Sequence, residues 1–247
     1  QVSNPFRPSD TIQWTTTDYD SLGRKKKVTT PDLAEATIAY SGNKSTFTDQ
    51  AVRQRATTKD ALGRMSSAIE DPGSAPHLNY LTTYGYNVLD RLTQVTQGSQ
   101  TRNYSFDTLG RLKQTTIPEQ VGSTFYTYDG NSNLTTKTDP RGVLTTYAYD
   151  DINRIGSVTY DLTNAPGVAA TPNVSYTYDS AAVPYSKGEL TEVSVSSGTI
   201  SSSYTYDEYD SRGRVKQSTQ TTDGHPYTIK YEYDLAGHLK AEEYPSH

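Results

Sequence analysis

The sequence predicts an all-β chain: tandem β-hairpins forming a curved or spiralling antiparallel sheet. Three observations carry that expectation. The dipeptide Tyr-Asp recurs at short, regular steps, aromatic residues stand two apart just before it, and turn residues followed by a Thr-rich stretch come directly after. Only 32% of the 247 residues are hydrophobic, and that fraction includes 21 Tyr, so aliphatic packing is not the main glue. A polar chain of this kind would read as disordered if it lacked aromatic and β-branched residues, but this one is full of Tyr, Thr and Val.

Along the chain, 1–14 reads as an N-terminal lead-in and 15–247 as a single repeat array of about nine to ten units. Aligned on the Asp of Tyr-Asp or its replacement, the anchors are Asp20, Asp60, Asn87, Asp107, Asp129, Asp150, Asp179, Asp210 and Asp234. From Asn87 to Asp107, Asp129 and Asp150 the steps are 20, 22 and 21. The gap of 40 between Asp20 and Asp60 equals two periods, and "YSGN" at 40–43 sits near its middle with Ser41 in the Asp place. Three residues after an anchor stand Gly23, Gly63, Gly110, Gly213 and Gly237, and a fourth later Arg24, Arg64, Arg91, Arg111, Arg154 and Arg214.

Each part of this unit has a physical reading. Residues two apart share one face of a strand, which makes a ladder of Tyr84 and Tyr86, Tyr104 and Phe106, Tyr126 and Tyr128, Tyr147 and Tyr149, Tyr176 and Tyr178, Tyr204 and Tyr206, and Tyr231 and Tyr233. The Asp accepts hydrogen bonds from the amides ahead of it, and the Gly takes a positive φ at little cost. Each repeat is then a hairpin that cannot close a core alone, so the phrase recurs because each copy packs on the next.

The hexamers "YDSLGR" (19–24), "FDTLGR" (106–111) and "YDSRGR" (209–214), with the looser "KDALGR", "YNVLDR", "YDDINR" and "YDLAGH", resemble the YD repeats of Rhs proteins over about residues 15–245. That family includes bacterial Rhs polymorphic toxins, the cocoon components of insecticidal ABC toxins, the wall-associated protein of Bacillus and the animal teneurins. The resemblance implies a long sheet spiralling into a hollow shell, which in the toxins encloses a C-terminal effector. It also implies that the repeats are scaffold rather than catalyst. Ten units of two strands give a sheet about 95 Å across at ~4.8 Å per strand, too small to close around a folded cargo. The expectation is therefore an arc of an Rhs-type β-cocoon, or a compact β-spiral filled by its own Tyr rings.

Departures from the pattern are expected to bend it. "YDSAAVPYSKGEL" loses the Gly and Arg and gains Pro184, which predicts a bulge, an enlarged loop or a changed strand path. "TYDEYDSRGR" offers both Asp207 and Asp210 as anchors. Segments 70–78 and 162–173 are rich in Pro, Gly and Ala and read as surface loops. "DPRGV" at 139–143 resembles the autoproteolytic "DPxGL" that closes Rhs shells, but it stands in mid-array and reads as a recurring turn.

No catalytic, cofactor-binding or metal site is expected. There is no cysteine, and His77, His225, His238 and His247 lie apart, with no helical pairing. "DGNSN" at 129–133 starts like a calcium loop but has Leu134 and Pro140 where Gly and Glu are needed. "RKKK" at 24–27 would be split between two strand faces. A net charge of −5 argues against nucleic acid, and no apolar run is long enough for membrane insertion. The four sequons at Asn43, Asn103, Asn133 and Asn173 are expected by chance in so Thr- and Ser-rich a chain. The functional expectation is a non-enzymatic structural segment of a secreted or cell-surface bacterial shell. Its partners would be flanking YD repeats of the parent protein and, by the resemblance, an encapsulated effector. The alternative is an adhesion module that binds glycans or a protein partner through exposed Tyr faces and loops.

Overall fold

The computed structural model describes residues 2, 3, 5, 7, 9, 11–197 and 200–245. Among them the chain forms twenty-one β-strands and no helix. It divides into two compact units, Gln1–Ser105 with Thr116–Glu119, and Phe106–Thr115 with Gln120–His247. In the first, the strands from Val2–Ser3 to Gln100–Phe106 each pair antiparallel with the next in sequence. In the second, the strands from Ser123–Tyr128 to Leu239–Glu243 do the same. A meander of this kind follows from short links between alternating strands, since sequence neighbours can pair at once.

Register gives the sheet two chemically distinct faces. In the second unit Tyr147, Val158, Val174 and Val195 stand directly opposite one another across four strands. On the other face Thr127, Thr136, Thr146 and Thr159 form a matching row, with Thr127 and Thr136 hydroxyls 2.5 Å apart. The first unit carries a similar polar row of Thr58, Ser67, Thr83, Thr96 and Thr101. The aromatic ladder therefore lies on one face and the Thr/Ser ladder on the other, as a period of two requires.

One layer of sheet buries little. Among the described residues the buried apolar side chains are Ala56, Ala68, Val143, Val158, Ala165 and Tyr209. The ladder tyrosines expected to supply an interior are half-buried.

Irregularity is distributed differently from the sequence expectation. Irregularity was expected around 179–189 and at the doubled anchors Asp207 and Asp210, where the register does shift, but a shift also stands just before the turn at Tyr19, Lys59, Tyr86, Tyr128, Tyr149, Tyr178 and Tyr233. The cause is the turn itself, which returns the descending strand with one residue too many. Ser41 is a second correction, because it pairs with Lys44 across the tight hairpin Gly42-Asn43 and does not anchor a five-residue turn. The lysines of "RKKK" are divided, with Lys25 opposite Tyr19, and Lys27 opposite Asp18 and bonded to Glu35 at 2.8 Å.

Candidate functional site

The recurring feature is the end of the sheet where the Tyr-Asp turns lie. At Asp107 the backbone N–H donates to the Arg111 carbonyl at 2.9 Å, and the Gly110 N–H returns to the Asp107 carbonyl at 3.0 Å. The Asp107 carboxylate takes the Arg111 amide on Oδ1 at 2.8 Å and the Arg111 Nε on Oδ2 at 2.7 Å. Asp20, Asp60, Asp150 and Asp210 repeat this with Arg24, Arg64, Arg154 and Arg214. The amide of the following Arg leads in holding the Asp20, Asp107, Asp150 and Asp210 carboxyls below the ordinary value of 3.8. Gly110 has φ +87, and Asp90, Ser132 and Asn153 take the same left-handed place at 61, 70 and 65.

Beyond the turn, the Arg reaches across to the next hairpin. Its guanidinium lies over the ring of the tyrosine that ends the following ascending strand: Arg24 over Tyr40 at 4.0 Å, Arg64 over Tyr86 at 4.7 Å, Arg111 over Tyr128 at 4.7 Å, Arg154 over Tyr178 at 4.3 Å and Arg214 over Tyr233 at 4.5 Å. The tyrosine hydroxyl then donates to the first carbonyl of the descending strand. Tyr40 reaches Lys25, Tyr86 reaches Met65, Tyr128 reaches Leu112, Tyr149 reaches Leu134, Tyr209 reaches Leu190 and Tyr233 reaches Val215, all at 2.6–3.1 Å.

Register explains why that carbonyl is free. The ladder between hairpins stops short of the turn: Thr136 with Thr146 is its last pair before Leu134, and Gln217 with Lys230 its last before Val215. The bulge opens a wedge there, and a carbonyl left in it needs a donor. The Arg-on-Tyr stack fills the wedge and the hydroxyl satisfies the carbonyl. This latch joins residues 15–21 apart in sequence.

The other expected residues fall around this frame. Asn87 and Asp129 build the same turn, with Asn133 replacing Arg and donating to Asp129 Oδ2 at 2.9 Å. Asp234 closes on His238, whose Nδ1 lies 3.0 Å from Oδ2, with Gly237 at φ +96. Gly23, Gly63 and Gly213 take φ +74, +83 and +74. The inner rings Tyr84, Tyr104, Tyr126, Tyr147 and Tyr176 are half-buried on the ladder face, as is Phe106, which has no hydroxyl to offer.

The ring missing from the expected ladder is Tyr209. Asp207 is bulged out of register, so Tyr204, Tyr206 and Tyr209 all face one way, with centroid separations of 5.1 and 6.0 Å. Tyr209 is 4% exposed and makes the latch, while Tyr204 and Tyr231 converge on the buried Ser218 hydroxyl at 2.8 and 3.3 Å. The signal was present in "YDSRGR", where Tyr209 directly precedes its anchor.

Other candidates are spent on local structure. His77 Nδ1 lies 2.6 Å from Asp71, His225 closes the Thr222–His225 hairpin, and His247 lies outside the described residues. Asp139 binds the Arg141 guanidinium and caps a turn back to Val143, and a hollow of about 450 Å³ beside it is lined by Gln120, Val121, Thr124, Lys137 and Arg141. Among the described residues no three His, Cys, Asp or Glu gather as metal ligands.

A teneurin YD-shell family model matches residues 93–210. No curated protein matches the sequence. Solved structures share the fold: the TcdB2-TccC3 crystal structure, at 13% identity over 94% of this chain, with a TM-score of 0.75; and TcdB2-TccC3-Cdc42, at 14% over 94%, with 0.74. The Photorhabdus luminescens Tc holotoxin pore is similar at 13% identity over 92%, with a TM-score of 0.72. This chain spans 13% of the length of each of those chains. The repeated motif is built into one repeated turn and latch; over residues 93–210 the chain is similar to the teneurin YD-shell family, and its fold is that of the solved toxin-complex structures.

Proposed function

We propose that the chain is a non-enzymatic wall segment of an extracellular YD-repeat shell, its units forming one continuous array that helps to enclose a C-terminal effector of the parent protein. The observation that carries this reading is the latch: the Asp, Arg and Tyr of the repeat are consumed in joining one hairpin to the next. What is left is a sheet whose motif residues are committed to mechanical continuity. Flanking YD repeats are the natural partners, because Leu239–Glu243 pairs through one side only among the described residues.

Replacing Tyr128 and Tyr233 with Ala, followed by thermal unfolding and a glycan array, tests the reading. A wall segment loses stability and binds no glycan in either form. A variant that stays as stable as the parent while losing a bound sugar would replace the wall with an adhesion face. In the full-length parent, the same changes should expose the C-terminal region to protease.

A further inference from the structure

The turn of "DPRGV" at 139–143 stands outside the latch system. In the recurring turn the guanidinium comes from the fourth residue after the carboxylate, as Arg111 does for Asp107, and is committed to the next hairpin. Here it comes from the second residue, Arg141, whose Nε and Nη2 donate to Asp139 Oδ2 at 2.8 and 2.6 Å. Oδ1 is occupied as well, by the Arg141 and Val143 amides at 2.9 and 3.1 Å. The Asp139 carboxylate is therefore fully used, while the Arg141 side chain stays 66% exposed.

Beside this turn the hollow of about 450 Å³ lies within the size range of small-molecule sites. Thr124 lines it, is only 6% exposed, and its hydroxyl has no hydrogen-bond partner among the described residues. The buried hydroxyls of Ser186 and Ser218 bond within the chain, as buried polar groups do. Lys137 stands opposite Tyr126, two residues beyond Thr124, so Lys137 and Thr124 share the aromatic face. It has no carboxylate partner among the described residues, whereas Lys27, Lys216, Lys230 and Lys240 each pair with a glutamate. Two cations, Lys137 and Arg141, against the one carboxylate of Asp139 leave the hollow a net positive charge, and Val121 and Pro140 give it an apolar wall.

We propose that this hollow binds a small organic carboxylate. Lys137 is the counter-charge, the Thr124 hydroxyl donates to a carboxylate oxygen, and the carbon body of the ligand rests on Val121 and Pro140. A single net charge suits a monoanion, and an apolar wall has no use for an inorganic ion. The volume admits a body of the bulk of a sugar acid. Water reaches Arg141 and screens the charge, so the affinity is modest, with a Kd on the order of 1 mM. The site belongs to this one turn and not to every repeat, and it stands apart from the wall reading, which uses none of these residues.

NMR titration of the isotope-labelled chain with D-glucuronate tests it, with D-glucose as the uncharged counterpart and inorganic phosphate as the bare anion. Glucuronate should shift the amides of 120–124 and 137–141 and saturate on the order of 1 mM, glucose should leave them in place, and phosphate should bind at least about tenfold more weakly. Lys137→Met keeps the stem without the charge, and Thr124→Val keeps the shape without the hydroxyl. The first should weaken glucuronate about tenfold and the second several-fold, with far-UV circular dichroism unchanged. Raising NaCl to about 0.5 M should weaken binding by the parent chain several-fold, a readout that needs no substitution. Absence of a saturable shift, an equal response to glucose, phosphate binding as tightly, undiminished binding in salt, or a folded variant with the parent's affinity overturns the proposal.

Discussion

The turn at Asp107–Arg111 and the loop from Asp179 to Glu189 close hairpins by different means. At Asp107 everything is local, with the carboxylate held by the amide and guanidinium of its own Arg111. At Asp179 the Gly-Arg pair is gone, Pro184 has entered, and the carboxylate is held by Arg154 of the preceding hairpin at 2.7 Å and by the Gly188 amide at 2.5 Å. The outer bond is kept, since the Asp179 N–H donates to Glu189 as Asp107 does to Arg111. The latch is kept as well, through Tyr209 to Leu190 at 2.6 Å. The difference teaches that a repeat can lose its turn chemistry so long as the strand ends and the tyrosine meet. The turn at Asp129 agrees, because Asn133 replaces Arg while Tyr149 still latches to Leu134.

The sharpest way to break the comparison is at Tyr209. Tyr209→Ala removes a buried ring and its hydroxyl together and should cost about 3–5 kcal/mol in urea unfolding. The same change at half-buried Tyr128 should cost clearly less. Tyr209→Phe leaves the Leu190 carbonyl without its donor and should cost roughly 1–2 kcal/mol.

Acid is the next largest effect, because it reaches several turns at once. Carboxyls held below 3.8 in the folded chain contribute stability that is complete above the unfolded value and is lost as pH falls through the folded one. Unfolding midpoints should therefore drop below about pH 4 and hold steady from there to neutrality. Arg154→Gln sharpens the contrast, since the Arg154 guanidinium leads in lowering Asp179. Carboxylate titration by NMR should show Asp179 returning toward 3.8 while Asp107 stays low; a parallel rise in both would merge the two cases.

At the alkaline end, burial raises the Tyr209 phenol to about 12, with the Glu189 carboxylate adding to it. A raised phenol contributes stability below the unfolded value near 10 and loses it as pH climbs through the folded one. Tyrosinate absorbance should show this ring ionising last, together with loss of the far-UV β signal.

The smallest effects lie in the turn backbone. Gly63 sits at φ +83 with open space around a would-be Cβ, so Gly63→Ala carries conformational strain alone, about 1–2 kcal/mol. Ser132 at φ 70 should show the opposite sign, Ser132→Gly gaining roughly 1 kcal/mol by thermal unfolding.

Much of the repeat was legible because its causes are short-range. An Asp that captures amides two and four residues ahead, and a Gly that turns the chain between them, act within five residues, so "YDSLGR" states its own turn. The shared face of Tyr126 and Tyr128 likewise needs only a period of two. Ser41 misled because its position in the period was right while the tight hairpin at Gly42 left no room for the turn.

What the sequence determined by itself is therefore the strand-and-turn alphabet and the aromatic face. Tertiary structure alone decided where each tyrosine hydroxyl goes, that the bulge at Asp207 hands the latch to Tyr209 rather than Tyr206, and that Arg154 serves Asp179 as well as Asp150. The physical reason is register: one extra residue on a strand moves every side chain beyond it to the opposite face, and that count is settled between strands, not within one.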